Sequence, residues 1–336
     1  MAYASLKQLT ALAAFVLANA PGLVFALSLD LPVACTLWQD CFIQNYVDVD
    51  PSPSYQDYKC GKLTYNGHTG TDFRILHLEM YKRGVPVVAA APGQVLKVRD
   101  GMRDVSIRKT GVEAVKGREA GNAVIIEHSG GWTTSYAHMR RGSVAVKPGQ
   151  EVKAGDHLGL VGMSGKTEFP HLHLRVSHNR RVVDPFLGLT KHMRCGIWGK
   201  PLWKPEALAQ MGYRPSGLLG AGFADKKPDF NELELKPVKE PQLSARAPAL
   251  IFWAGSWGLD QGDEEIIRLR APNGAVLAQH RSEVKRHKAQ KFIFVGKRLG
   301  RGVWLKGAYR GEYRVLRRVG SRKEVVVQAD RTLQVY

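Results

Sequence analysis

The chain has 336 residues, enough for two or three domains with a sizeable core. Charged residues make up 24% and apolar ones 44%, a balance that excludes a disordered chain. The formal net charge of +19 asks for a polyanionic neighbour: nucleic acid, a membrane surface or an acidic wall polymer.

Residues 1–26 read as a secretory signal peptide, with one lysine (Lys7), an apolar run and then small residues. Pro21 and Gly22 interrupt the run, which counts against a membrane span of about 20 unbroken apolar residues. Small-x-small cleavage points end at Ala20 and at Ala26. The second, with a mature start at Leu27, is preferred because Pro21 follows the first. An exported chain meets oxidising surroundings. Its cysteines (Cys35, Cys41, Cys60 and Cys195) are an even set suited to disulfides. Three pairings are open. In one, Cys35 with Cys41 closes a small loop, and Cys60 with Cys195 then clasps the segment between them. No C-x-x-C spacing occurs, which counts against a cysteine-bound metal.

Residues 27–66 are short, polar and proline-bearing, and are expected to form an irregular lead-in. Over 67–199, short β-rich runs alternate with Gly and Pro turns (VPVVAAAPGQVLKVRD, GNAVIIEHSGGWTTSYAHM), the texture of an antiparallel all-β domain. Within it, the charged stretch 100–119 has poor periodicity and reads as a surface loop or extended hairpin. Residues 200–247 have linker composition, with one short helix at 205–211. Strand-like runs resume over 248–336, where Asn273 and Gly274 mark a hairpin turn and the spacing predicts a small β-sandwich. This module is strongly basic: residues 280–336 hold 16 Lys or Arg against 4 Asp or Glu. The expected fold class is therefore all-β, an antiparallel sheet domain followed by a small C-terminal β-sandwich.

The histidines carry the chemistry. His68 and Asp72 lie four apart around a glycine, His138 ends a strand, and His171 and His173 lie two apart in FPHLHLRV. Side chains two apart on a strand share a face, so that strand aims two imidazoles at one place. A catalytic zinc site takes three nitrogen or oxygen ligands and keeps one position open. Two histidines and an aspartate satisfy it and leave two further histidines for proton transfer.

In these motifs the chain resembles the LytM/lysostaphin-type zinc metallopeptidases, which cut peptide bonds in bacterial peptidoglycan. The family's pattern is H-x-G-x-D, then a strand ending Y-A-H, then P-H-L-H. Here these stand as HTGTD, YAHM and PHLHLRV, and turns such as APGQVLKV and VKPGQEVKAGDHLGLVGMSGKT also match, over roughly 66–187. The resemblance implies that His68, Asp72 and His173 hold Zn2+, and that His138 and His171 flank the metal-bound water that acts as nucleophile. It does not divide the proton-transfer roles between those two. It further implies an endopeptidase that hydrolyses peptidoglycan crosslinks. The exported, disulfide-permissive reading points to a periplasm, where the D-alanine to diaminopimelate bond is the expected target in preference to a glycine bridge. Some relatives have lost ligands and activate other wall hydrolases, so a non-catalytic wall-binding protein is the alternative. All five positions are intact here.

His77, His128, His157, His178 and His192 match no ligand position and read as structural or exposed. His280 and His287 read as part of the basic tail. That tail has aromatic neighbours (Trp304, Tyr309 and Tyr313), and basic plus aromatic is nucleic-acid chemistry. Export argues against nucleic acid. The expected partner of the tail is instead peptidoglycan carboxylate or another anionic envelope surface. The oligomeric state is left open.

Overall fold

The computed structural model describes residues 27–76, 78–233 and 243–336. The expected signal peptide and His77 lie outside the described residues. The chain is all-β, and every strand pairing is antiparallel. Among the described residues no helix is long and apolar enough to cross a membrane.

The first unit is built from β1 (Cys41–Asn45), β2 (Thr71–Ile75), β3 (Pro86–Val88), β4 (Gly93–Arg99), β5 (Asn122–His128), β6 (Trp132–Met139), β7 (Glu151–Val152), β8 (His157–Leu160), β9 (His171–His178) and β10 (Arg181–Val183). The main sheet runs β1-β2-β9-β6-β5-β4-β7, with β10 also paired to β9; β3 and β8 form a separate ribbon. The central strand β9 explains itself by alternation. Leu172, Leu174 and Val176 are fully buried on one face, so His171, His173 and Arg175 take the other.

The lead-in differs from its irregular reading. It supplies β1 at the sheet edge, and Leu29, Val33, Tyr46, Val49 and Leu63 join the first core. Its partners are distant in sequence, so no local pattern marks it. Two disulfides tie it down, Cys35 with Cys41 and Cys60 with Cys195. Residues 100–119 are a loop carrying one helical turn (Ile107–Thr110) and one 3-10 turn (Glu113–Val115).

The stretch 200–247 is also more than linker where it is described. A helix spans Pro205–Gln210, and Leu202, Trp203, Ala207 and Met211 pack into the first core. After it comes β11 (Gly217–Ala224), a strand of the second unit. That unit continues with β12 (Ala249–Leu259), β13 (Glu264–Arg270), β14 (Val276–Glu283), β15 (Lys288–Arg298), β16 (Gly307–Val319) and β17 (Arg322–Val335). A three-stranded sheet β11-β12-β15 and a four-stranded sheet β14-β13-β16-β17 contribute to one apolar cluster, including Phe223, Phe252, Ile267, Tyr313 and Val327. Asn273 and Gly274 do turn β13 into β14, with Gly274 at φ 83°.

Trp304, Tyr309 and Tyr313 are buried in this core. They are packing residues and not an exposed platform beside the basic charges. The two units meet through Trp257 of β12, which belongs to the first core and stacks on Phe42 of β1 with ring centroids 5.1 Å apart.

Candidate metal centre

Register places the site. In the β2–β9 pair, Asp72 lies opposite His173 and Arg74 opposite His171; in the β1–β2 pair, Asn45 lies opposite Asp72. Cross-strand partners share a face, so Asn45, Asp72, Arg74, His171 and His173 gather on the side away from the Leu172–Leu174 core. In β6, Ala137 lies opposite His173. Strict alternation would send the next residue, His138, into the core. Its backbone instead takes the left-handed region, at φ 61°, a conformation that costs about 1–3 kcal/mol in a non-glycine residue. The imidazole thereby joins the site face, with its ring centroid 4.6 Å from that of His171 and 5.9 Å from that of His173. His68 arrives from the turn before β2. The glycine between His68 and Asp72 is required sterically, because a Cβ on Gly70 would stand 2.5 Å from His173 Nε2.

Three donor groups converge. His68 Nε2 is 3.1 Å from Asp72 Oδ2 and 3.2 Å from His173 Nδ1, and His173 Nδ1 is 2.8 Å from Asp72 Oδ1. A tetrahedral ion with bonds of about 2.0–2.1 Å has ligand-to-ligand edges of about 3.3 Å. The two nitrogens face different oxygens of the Asp72 carboxylate, and the three separations, 2.8–3.2 Å, lie within about half an ångström of that edge length, close enough for the three side chains to share one ion. The tautomers agree. His68 Nδ1–H donates to the Tyr46 carbonyl at 2.7 Å, which leaves Nε2 with its lone pair toward the group. Asn45 Nδ2 donates to Asp72 Oδ2 at 2.9 Å and orients the carboxylate.

The other two histidines are arranged the same way. His138 Nδ1–H donates to the Ser164 carbonyl at 2.8 Å, and His171 Nδ1–H to the Phe169 carbonyl at 3.0 Å. Each keeps Nε2 free for the site; His171 Nε2 is 3.7 Å from Asp72 Oδ1.

Electrostatics distinguishes Asp72, His68, His138 and His171. Burial would raise the Asp72 carboxyl, but His68, His171 and the hydrogen bonds it accepts outweigh burial and hold it well below the usual carboxylate range. Burial would lower His68, yet Asp72 wins and raises it. Burial drives His138 well below the ordinary imidazole value, with His171 and His173 adding to it, and also lowers His171 despite Asp72. The site thus pairs an ionised carboxylate that calls for a cation with two neutral imidazoles able to accept a proton.

A cleft of about 460 Å³ opens over this group. Asp72, His138, His171, Asn45, Tyr65 and Phe169 line it, with His287 and Ala289 from the C-terminal unit. All five histidine and aspartate positions expected from the motifs thus come together. His128 does not join them: its nitrogens bond the Pro92 carbonyl at 2.7 Å and Thr134 Oγ1 at 2.8 Å, inside the sheet.

Several contributors went unseen in the sequence. Asn45 and the Tyr46 carbonyl sit in CFIQNY, which carries no motif. Arg74 is two residues past Asp72, and period-two alternation would have found it. It is buried, bonds Gln44 at 2.6 Å and Gln290 at 2.9 Å, and lies 4.0 Å over the Phe169 ring.

The donor set is that of a candidate metal centre: a carboxylate and two imidazoles on one face, beside neutral bases, under an open cleft. Comparison with known proteins agrees: residues 66–185 are a Peptidase family M23 domain. In that region the chain is similar to the peptidoglycan DD-endopeptidase ShyB of Vibrio cholerae, 34% identical over 117 residues, which are 35% of this chain and 22% of that protein. It is also similar to the cell division protein DipM of Caulobacter vibrioides, 32% identical over 118 residues, covering 32% of this chain and 16% of that one. Among solved structures, a putative peptidase M23 from Pseudomonas aeruginosa aligns at 28% identity and TM-score 0.29, over 49% of this chain and 52% of the other. The matches to these two curated relatives span about a fifth of their length or less.

Proposed function

We propose that this protein is a zinc-dependent endopeptidase that hydrolyses peptide crosslinks of bacterial peptidoglycan. The observation that carries the reading is the convergence of His68 Nε2, Asp72 and His173 Nδ1 within 3.2 Å of their neighbours, each oriented by a partner outside the triangle or by one another. Zinc held there supplies Lewis-acid polarisation of a carbonyl and a water of lowered pKa. The chain's own residues do the rest. His68, Asp72 and His173 hold the ion. Asn45 and the Tyr46 carbonyl set the ligands' orientation. His138 and His171, neutral and with Nε2 free, accept a proton at that atom and return it to the leaving amine. Tyr65 and Phe169 line the cleft.

The peptidoglycan substrate follows from what the relatives are named for. Export to a periplasm accords with the two disulfides, which need an oxidising compartment. The exposed cations Arg281, Lys285, Arg286, Arg318 and Arg322 suit attachment to an anionic envelope surface.

Metal analysis combined with incubation on purified sacculi tests the reading. The parent should carry close to one zinc per chain and release new free amines, and a chelator should stop it. His173→Ala should lose both metal and cleavage. Metal-free parent protein that binds sacculi without cutting them would replace this proposal with a non-catalytic wall-binding role.

A further inference from the structure

The C-terminal unit is not a remote tether. The start of β15 and the residue before it form part of the cleft wall, where His287 and Ala289 stand with Lys166 of the peptidase domain. The placement is firm. Trp257 is buried in the first core, and Gln290 accepts a hydrogen bond from Arg74 under Phe169. His287 is itself oriented: its Nδ1 is 3.0 Å from Asp260 Oδ1, and Asp260 Oδ2 is 3.0 Å from Arg317 Nη1. With Nδ1 occupied, only Nε2 remains to meet a ligand in the cleft. The mouth is also positive. Lys166 is exposed and makes no ion pair among the described residues. Of the acids near it, Glu168 is taken by Arg108 at 2.7 Å, and Glu119, whose carbonyl accepts from the Lys166 amide at 2.7 Å, has a carboxyl that backbone hydrogen bonds hold below the ordinary value with the lysine's help. Arg286 and Lys288 flank His287 in the chain, and neither forms an ion pair among the described residues.

We propose that the C-terminal unit is the substrate-binding half of this active site. In it, His287 and Lys166 receive a carboxylate carried by the peptide being cut. The inference rests on the peptidase reading and adds the substrate's chemistry: an acidic, branched or crosslinked peptide in preference to a neutral one. His287 acts as a specificity residue. It touches substrate away from the scissile bond, so its loss appears in KM while kcat stays near the parent's.

Charge placed at Ala289 tests this. That residue is exposed on the cleft wall, so a charged side chain there stays solvated and the fold is expected to hold, which circular dichroism of each variant checks. The probes are a crosslinked wall peptide with free carboxylates and the same peptide with its carboxylates amidated. Ala289→Glu should raise KM for the acidic peptide about threefold to tenfold, and Ala289→Lys should lower it. His287→Gln should raise it about tenfold. The amidated peptide should shift less than twofold in all three, and zinc content should equal the parent's. An unchanged KM for the acidic peptide in Ala289→Glu and His287→Gln, or equal shifts for both peptides, would overturn the proposal. If the parent cuts neither peptide, the peptidase reading has failed. Equilibrium binding of the same two peptides to the same variants then decides the carboxylate site on its own.

Discussion

Removing the Cys60–Cys195 disulfide should cost far more stability than removing Cys35–Cys41. The first closes a loop with sequence separation 135, which contains the whole of 66–185; the second closes one with separation 6. A crosslink restricts the unfolded chain by an entropy that grows with the logarithm of loop length, worth about 5 kcal/mol for the long loop and about 2 kcal/mol for the short one at 25 °C. Cys60 is exposed and Cys195 half-buried, so Cys60→Ala with Cys195→Ala removes little folded-state packing and reports mainly on the unfolded chain. The loops do not overlap, so the two effects should add. Equilibrium urea unfolding followed by tryptophan fluorescence measures them. The double variant should lose about 5 kcal/mol and show a larger m-value, because its unfolded state exposes more surface. A loss below about 1 kcal/mol, or one no greater than that of the Cys35→Ala, Cys41→Ala variant, would refute the loop-entropy account.

Two further outcomes are expected. Asp184 is fully buried, and burial pushes its carboxyl up to about 7, although it accepts hydrogen bonds from the Phe186 and Leu187 amides. Its folded pKa lies above its unfolded value, so the folded state binds the extra proton. Stability from this group is therefore full below about pH 4, falls as pH rises to about 7, and is level above, for a total on the order of 4 kcal/mol. Asp184→Asn should remove that slope, so that urea titrations at pH 4.5, 6 and 8 show the variant gaining on the parent as pH rises; a pH-independent difference would contradict the assignment. Asn45→Ala should leave the fold intact but free Asp72 Oδ2 from its orienting donor. The affinity of the proposed site for Zn2+, read by chelator competition, should fall about 10- to 100-fold, and an affinity equal to the parent's would deny Asn45 that role.

The five histidine and aspartate positions that the structure brings together were legible in the sequence through the order of three short motifs, and for part of the set through local rules. Alternation puts His171 and His173 on one face of β9, and a glycine between His68 and Asp72 leaves room for the His173 ring. The all-β class was legible for the same reason: strand periodicity and turn residues are properties of a few neighbours. His138 was legible as a residue but not as geometry, since its left-handed backbone breaks the alternation that would have buried it. The placement of the aromatic residues of the basic module was not legible, for a related reason. Composition records that Trp304, Tyr309 and Tyr313 accompany cations, but which face of a strand they take depends on the opposing sheet.

What the sequence determined by itself was the candidate donor set, its order, and the shared strand face of His171 and His173. Tertiary structure alone decided that Asn45 and Tyr46, from an apparently irregular lead-in, brace those donors, that Cys60 pairs with Cys195, and that His287 from the far module stands in the cleft wall. These contacts join residues separated by between 22 and 216 positions where the structure pairs them directly, as in His68 with Tyr46 and Arg74 with Gln290. No periodicity spans such distances. They exist because sheet register and the burial of residues such as Trp257 bring remote segments together, and that is settled by the free energy of the whole fold and not by any stretch of it.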